Sequence, residues 1–139
     1  MDNKHNPTLS IVAPVYNEEE NVNELVDRIV ESCRELSEPF EIVIVNDGSA
    51  DKTLDYLVAL SRTIPELRVV DLLRNFGHMP ALSAGLTHAR GDGVIIMDGD
   101  LQDPPELIPQ FYRKWLEGND VVYGLRTERG EEGPKRAAI

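Results

Sequence analysis

Apolar and polar positions alternate along this chain in blocks that predict strands and helices in turn. Five short apolar runs have the length and residue types of strands, and they lie at 9–15, 40–45, 67–73, 94–97 and 120–125. Between them, apolar residues recur at the spacings of three and four that are typical of amphipathic helices, over 22–33, 54–61, 79–89 and 107–116. Strands that alternate with helices through short connections predict a parallel α/β sheet.

Capping residues are predicted at three helix starts. Asn17 can cap the first helix in a capping-box pattern with Glu20, and Ser49 can cap the second. Asp103 is predicted to cap the fourth helix, with Pro104 at its first helical position. Each of these three residues lies in a polar segment that follows a predicted strand, so loops are predicted at the same positions.

Two aspartates, Asp98 and Asp100, follow the fourth predicted strand one residue apart. Residues two apart in an extended chain point the same way, so the two carboxylates are expected side by side. Gly99 between them is small enough to let a ligand approach closely. The carboxylates would repel each other unless a cation joined them, and hard oxygen ligands suit Mg²⁺ or Mn²⁺ shared with substrate phosphates. The alternative is that both are ordinary acidic loop residues.

The composition of the chain is typical of one globular domain, and its charge argues against some kinds of ligand. The 139 residues are 41% hydrophobic and carry a net charge of −11, which argues against binding to a nucleic-acid backbone. Cys33 is the one cysteine, so no internal disulfide is possible, and it falls on the apolar face of the first helix, where a core residue is expected. No signal peptide or run of roughly 20 apolar residues is recognised. A cytoplasmic, reducing location is therefore expected.

Polar side chains follow three of the predicted strands. Tyr16 and Glu18 follow the first strand, Asp47 follows the second, and Asp98 and Asp100 follow the fourth. Carboxyl ends of parallel strands share one edge of a sheet, where open α/β folds bind ligands. These residues therefore predict a binding crevice, in which Asp47 could hydrogen-bond a base or ribose. The alternatives are an Asx-turn for Asp47 and a favourable helix-dipole position for Glu18.

Several familiar site patterns are missing from the sequence. Neither Gly-x-Gly-x-x-Gly nor a Walker Gly-Lys-Ser/Thr follows the first strand, so a Rossmann dinucleotide site or a P-loop is not expected. Arg74 and Arg126, which follow the third and fifth predicted strands, are candidate phosphate partners, or else ordinary surface arginines. His78 lies in a turn after Gly77, where a surface position is the favoured interpretation.

Four segments together resemble glycosyltransferase family 2. They are residues 10–19, 45–51, 74–77 and 98–106, in the order and spacing of that family, and the resemblance spans most of 9–126. The Arg-Asn-Phe-Gly turn and the Leu-Gln-Asp-Pro-Pro-Glu extension point to one subgroup in particular. That subgroup resembles dolichol-phosphate mannose synthase and the bacterial polyprenyl-phosphate glycosyltransferases.

The resemblance implies a fold, a reaction and a set of site residues. The fold is GT-A, a Rossmann-like, mostly parallel sheet flanked by helices. The reaction is inverting transfer of a hexose from a UDP- or GDP-sugar to a polyprenyl phosphate such as undecaprenyl or dolichyl phosphate. The implied nucleotide-sugar-binding residues are Pro14, Tyr16, Glu18, Asp47, Asp98 and Asp100. The implied ligands of Mg²⁺ or Mn²⁺ are Asp98, Asp100 and Gln102, and the implied catalytic residues are Asp100 and Arg126.

The same resemblance implies a longer protein. Members of the subgroup continue with acceptor-site elements, amphipathic helices and usually membrane helices, at the cytoplasmic face of a membrane. We therefore expect residues 1–139 to form one nucleotide-sugar-binding domain, with its core at about 8–126 and a loop at 127–139 that leads into a missing C-terminal region. The sheet would be incomplete at that end, membrane association would require the missing region, and an unpaired edge would favour homo-oligomers.

Two other functions stay open on the sequence. One is binding of a nucleotide sugar without turnover. The other is an unrelated α/β interaction domain with an acidic metal pocket, similar to a response regulator. That class would need a lysine after the fifth strand, where Leu125-Arg126-Thr127 stands instead.

Overall fold

Four parallel strands form the central sheet. The computed structural model describes residues 7–125 and the backbone of 137–138. The strands are β1 (Leu9–Val15), β2 (Phe40–Asn46), β3 (Leu67–Asp71) and β4 (Gly93–Ile96), in the spatial order β3-β2-β1-β4. The register pairs Val15 with Asn46 and Val12 with Ile96. The predicted parallel α/β sheet is confirmed, and β1 lies between β2 and β4.

Helices cover both faces of this sheet. They are α1 (Val22–Arg34), α2 (Thr53–Thr63), α3 (His78–His88) and α4 (Ile108–Leu116), with a 3-10 turn at Pro105–Leu107. The side-chain period of two divides each inner strand between two cores. Ile11 and Ile44 pack with α1 and α4 on one face, whereas Val12 and Val45 pack with α3 on the other. Within the described residues, no helix has the length and apolar character needed to cross a bilayer.

Small residues let α3 approach the sheet closely. Ala81 and Gly85 are its buried residues. A Cβ at Gly85 would lie 2.5 Å from Cγ1 of Val12 and 2.9 Å from Cγ2 of Val45. Alanine and glycine at these two positions therefore allow α3 to pack closely against β1 and β2.

Two predicted caps are wrong, because their side chains bind a neighbouring loop. The helix α1 begins at Val22, and Asn17 has a φ of +51° with its Oδ1 accepting a 2.8 Å hydrogen bond from the Ala50 amide. The residue before α2 is Lys52. Ser49 instead accepts a 2.9 Å hydrogen bond from the Asn17 amide. The two loops lock together where separate caps were predicted.

The third cap is also wrong, and the helix it was to begin starts later. Pro104 stands before the 3-10 turn, and α4 starts only at Ile108. The Asp103 carboxylate accepts a 3.0 Å hydrogen bond from the amide of Asp98, so it closes the acidic loop onto itself. That role positions the aspartate pair.

Two strand predictions extend too far. Strand β3 ends at Asp71, and Leu73 is 99% exposed. The fifth strand is reduced to β5 (Tyr123–Gly124), which pairs antiparallel with β6 (Ala137–Ala138) outside the four-stranded sheet. Val121 is 64% exposed, so this apolar run is not buried as a sheet strand would be. The loop predicted at 127–139 lies outside the described residues except for 137–138.

Candidate active site

A cavity of about 470 Å³ opens where the carboxyl ends of β1, β2 and β4 meet. The parallel register brings these ends together, because Val15 of β1 lies beside Asn46 of β2 and β4 flanks β1 on the other side. Its lining residues are Pro14, Val15, Tyr16, Glu18, Asp47, Asn75, Gly77, His78, Asp98, Gly99 and Asp100. All six residues predicted to bind a nucleotide sugar therefore line one cavity.

The loop after β1 forms one wall of the cavity and is held by the loop after β2. The amide of Glu18 donates a 2.9 Å hydrogen bond to the Thr53 hydroxyl. Asn21 donates a 2.9 Å hydrogen bond from its side-chain amide to the Glu18 carboxylate. Tyr16 is 49% exposed, so its ring is available to a ligand. The wall combines an aromatic face with a carboxylate held in place.

A buried carboxylate at the end of β2 organises the opposite wall. Asp47 is only 3% exposed. Its Oδ1 accepts a 2.8 Å hydrogen bond from the Phe76 amide, and its Oδ2 accepts one of 3.1 Å from the Gly77 amide. The Asn75 side-chain amide donates to Oδ2 as well, at 3.2 Å. The loop that precedes α3 is therefore built around this one side chain.

The acidic loop after β4 is shaped by hydrogen bonds within itself. The amide of Gln102 donates a 3.1 Å hydrogen bond to the Asp100 carboxylate, and the Asp103 carboxylate binds the Asp98 amide. Leu101 adopts a φ of +64°, a region that residues with a Cβ rarely enter. Backbone strain of this kind persists where the surrounding structure enforces it, and it concentrates at functional sites.

Gly99 lines the cavity, and its small size also makes room for the end of β1. It is buried, and a Cβ at this position would lie 2.4 Å from Cγ1 of Val15 and 2.6 Å from the carbonyl oxygen of Pro14. The close approach is made by β1 of the protein itself. Gly99 thus lets the acidic loop lie against the end of β1 and keeps both aspartates at the cavity.

The cavity is strongly acidic, with one imidazole facing the aspartates. Its lining includes the carboxylates of Glu18, Asp47, Asp98 and Asp100. The Nε2 atom of His78 lies 4.0 Å from Oδ1 of Asp98. No cluster of three or more His, Cys, Asp or Glu side chains able to hold a metal occurs in the part of the chain that is described. Two carboxylates leave most of the coordination sphere of a hard cation to a ligand such as a diphosphate.

Not every predicted site residue joins this cavity. Gln102 lines a separate groove of about 830 Å³ beside β4, together with Trp115 and Phe111. Arg126 lies outside the described residues. Conversely, the cavity includes Asn75, Gly77 and His78, which the sequence reasoning did not place in the site. Asn75 and Gly77 belong to the Arg-Asn-Phe-Gly motif, which is the sequence feature that could have predicted their place in the site.

Two carboxylates that do not line the cavity, Asp51 and Glu41, have lowered pKa values. Burial alone would raise the pKa of Asp51, but hydrogen bonds from the hydroxyl and amide of Thr53 and from the Glu19 amide outweigh it and lower the pKa. The Glu41 carboxylate, at the amino end of β2, behaves similarly. Burial would raise its pKa, and hydrogen bonds from the Arg90 amide, the Ser10 hydroxyl and the Arg68 guanidinium lower it. Both groups hold loops and strands together in their charged form.

Curated relatives share this sequence over most of its length. The chain is 49% identical over 124 residues to a Synechocystis sp. protein named as a glycosyltransferase, covering 89% of this chain and 39% of the relative. It is 40% identical over 131 residues to the undecaprenyl-phosphate 4-deoxy-4-formamido-L-arabinose transferase of Serratia proteamaculans, covering 94% of this chain and 40% of the relative. The chain thus spans about two fifths of the length of these relatives.

A solved structure and a family profile agree with these relatives. The mannosyltransferase PcManGT from Pyrobaculum calidifontis, solved in complex with GDP-Man and Mn²⁺, superposes with a TM-score of 0.69 at 28% identity. The superposition covers 87% of this chain and 35% of that one. The profile described as Glycosyl transferase family 2 matches residues 10–138. The predicted resemblance and the GT-A fold are confirmed, and the chain belongs to glycosyl transferase family 2.

Proposed function

We propose that the cavity binds a nucleotide-sugar donor, and that the protein containing this chain transfers the sugar to a polyprenyl phosphate. The observation that carries the proposal is the meeting of Tyr16, Glu18 and Asp47 with Asp98 and Asp100 around one 470 Å³ cavity. The volume lies within the range of small-molecule sites. The relative that is named as an undecaprenyl-phosphate transferase supports the acceptor class.

The nucleoside half of the donor binds along the ends of β1 and β2. The exposed ring of Tyr16 offers an apolar face to a base, and Pro14 and Glu18 lie beside it. Asp47 Oδ1 accepts one hydrogen bond, from the Phe76 amide, and a carboxylate oxygen has two lone-pair sites, so it can accept another from a base or ribose. GDP-Man bound to the similar mannosyltransferase supports a nucleotide in this position.

The diphosphate half binds at the acidic loop. The donor set of Asp98 and Asp100 fits Mg²⁺ or Mn²⁺, because both ions prefer oxygen ligands and share their coordination with substrate phosphates. Gln102, which lines the groove beside β4, is the proposed third ligand of the ion. Asp98 and Asp100 would hold the ion, and its positive charge would offset the charge that develops on the departing nucleoside diphosphate. The Mn²⁺ in the structure of the similar mannosyltransferase supports a divalent ion.

Transfer inverts the anomeric centre in one displacement. An oxygen of the acceptor phosphate forms a bond to the anomeric carbon, and the bond from that carbon to the nucleoside diphosphate breaks. The acceptor oxygen is already anionic near neutral pH, so the step requires little help from a general base. Asp100 is proposed to hold the metal ion at the diphosphate of the donor. Arg126 is the proposed partner of a donor or acceptor phosphate.

Calorimetry tests the donor site directly. UDP and GDP are each titrated into the 139-residue chain with Mn²⁺ and with a chelator. One nucleotide is expected to bind in a metal-dependent manner, and Asp100→Ala should weaken it at least about tenfold, as expected when a charged metal ligand is lost. Asp92→Ala, an exposed aspartate at the other end of β4, is the matched control and should bind as the wild type does.

Transfer is then measured with a polyprenyl phosphate and the sugar of the nucleotide that binds. Product formation supports the full proposal. Metal-dependent binding without product would limit the proposal to donor binding for this chain. Absence of binding by a chain shown to be folded would refute the donor site.

A further inference from the structure

The imidazole of His78 occupies an unusual position in the acidic cavity. It is the first residue of α3, its side chain is 58% exposed, and it lines the cavity. Its Nε2 lies 4.0 Å from Oδ1 of Asp98, which is too long for a hydrogen bond. That nitrogen is thus directed to the cavity next to the aspartate pair.

A diphosphate ligand requires donors that this cavity otherwise lacks. The charged groups that line it are four carboxylates, and these repel phosphate oxygens unless a cation or N–H group lies between. The cavity lining also has the side-chain amide of Asn75, which is already bound to the backbone and carboxylate of Asp47. Among the described side chains of the cavity, His78 carries the nitrogen donor that makes no hydrogen bond within the protein.

Hydrogen bonds to Asp47 fix the backbone directly before His78. Gly77, directly before it, has a φ of +104° and donates its amide to Asp47. Asp47 also binds the amide of Phe76, so two successive peptide groups before α3 are fixed to β2. Such support from behind orients a binding group without contact to the ligand.

We propose that His78 binds the diphosphate of the donor through Nε2–H, on the side of the cavity opposite the nucleoside. This inference rests on the proposed function, because it assumes that a nucleoside diphosphate occupies the cavity. The acceptor also carries a phosphate, and the position of His78 beside Asp98 favours the donor. Asp47 acts here as a positioning residue for the loop that carries the imidazole.

The test compares ligands with and without the diphosphate. Wild type, His78→Ala and His78→Gln are each titrated with three ligands. Calorimetry measures binding of the nucleoside diphosphate that binds wild type, in the presence of Mn²⁺. NMR without metal measures binding of the matching nucleoside and of farnesyl phosphate. His78→Ala should weaken the diphosphate about tenfold, which corresponds to about 1.4 kcal/mol, and leave the nucleoside unchanged. His78→Gln keeps an N–H donor of similar reach and should recover part of the loss.

His88 at the other end of α3 provides the matched control. It is exposed, its ring contacts the carbonyl of Ala84, and it lies outside the cavity lining, so His88→Ala should bind both ligands as wild type does. Circular dichroism and thermal unfolding should be unchanged in both alanine variants, since neither side chain is buried.

The remaining outcomes overturn the inference in distinguishable ways. Equal weakening of nucleoside and diphosphate would show a general disturbance of the cavity. Unchanged binding of the diphosphate would show that His78 makes no contact with it. A loss seen only with farnesyl phosphate would move the residue to the acceptor side. If wild type binds neither UDP nor GDP, the proposed function itself fails, and the inference fails with it.

Discussion

Replacement of Asp47 by asparagine should loosen the loop before α3 and weaken the fold. The carboxylate accepts three hydrogen bonds from this loop, from the amides of Phe76 and Gly77 and the side chain of Asn75. Asparagine keeps one oxygen and places an NH₂ group where the second oxygen stood. If the retained oxygen still accepts from the Phe76 amide, the new NH₂ group faces the Gly77 amide and the side-chain NH₂ of Asn75. Both of these are donors, so neither can bind to it.

The size of the effect follows from these bonds. A hydrogen bond to a charged group contributes about 1.5–3 kcal/mol, and the loss of one partner leaves a donor unsatisfied. Gly77 is half-buried and Asn75 is exposed, so water can replace part of what is lost. We therefore expect a free energy of unfolding lower by about 2 kcal/mol, nearer to one charged bond than to two.

Urea unfolding and amide hydrogen exchange measure this effect together. The midpoint should fall without a change in the slope of the transition, because the folded surface is conserved. The amides of Phe76 and Gly77 should exchange faster than in wild type. Asp71→Asn is the control, since Asp71 is exposed and accepts one 3.0 Å bond from Asn46, which asparagine can still accept. It should change stability by less than about 0.5 kcal/mol.

The reasoning would be refuted by an Asp47→Asn protein with wild-type exchange at Phe76 and Gly77 and a stability within about 0.5 kcal/mol of wild type. That result would mean that the two amides find other partners. The role of Asp47 would then have to lie in ligand contact alone.

Three further predictions concern packing and charge. Gly48→Ala should destabilise the fold by about 3 kcal/mol, because it combines a left-handed φ of +69° with a Cβ placed 2.2 Å from the Asn75 amide nitrogen. Gly118 also has a positive φ, but a Cβ there would meet no other atom, so Gly118→Ala should destabilise by about 1–2 kcal/mol. Gly85→Val should destabilise by about 2 kcal/mol through its collision with the sheet, as urea unfolding would show. Glu41 has a lowered pKa, so its charge stabilises the fold above the ordinary value of 4.5, and this contribution should vanish as the pH falls through its folded-state pKa.

Each of these has a comparison that could contradict it. Equal losses in Gly48→Ala and Gly118→Ala would show that the loop moves aside. Ser83→Val, on the exposed side of α3, should be nearly neutral, and a loss equal to that of Gly85→Val would show that collision with the sheet is not the cause. Stability measured against pH for wild type and Glu41→Gln should converge in acid, and a constant difference would exclude titration of Glu41.

Much of the architecture could be predicted from local pattern. The runs that became β1, β2 and β4 were recognisable because they are apolar on both faces, as parallel strands usually are. Alternation with helices then required a parallel sheet, and a parallel sheet brings the carboxyl ends of its strands to one edge. That is why Tyr16, Asp47 and Asp98 could be assigned to one crevice, which the cavity confirms.

The predictions that failed concern side chains with remote partners. Asn17 and Ser49 have the composition of caps, yet they bind each other's loops across 32 and 33 positions of sequence. Asp103 has the position of a helix cap, and it binds the amide of Asp98 instead. Each group had more than one backbone partner of similar chemistry within reach, and the choice depends on how neighbouring strands place their loops.

The sequence alone thus determined the order of strands and helices, the family, and the edge of the sheet that forms the site, because these depend on periodicity and on motif spacing. Only the tertiary structure decided that Gly99 makes room for β1, that Asp47 holds the loop before α3, and that His78 faces Asp98. These are contacts between segments far apart in sequence, and their distances exist only after the sheet has set the register of its strands.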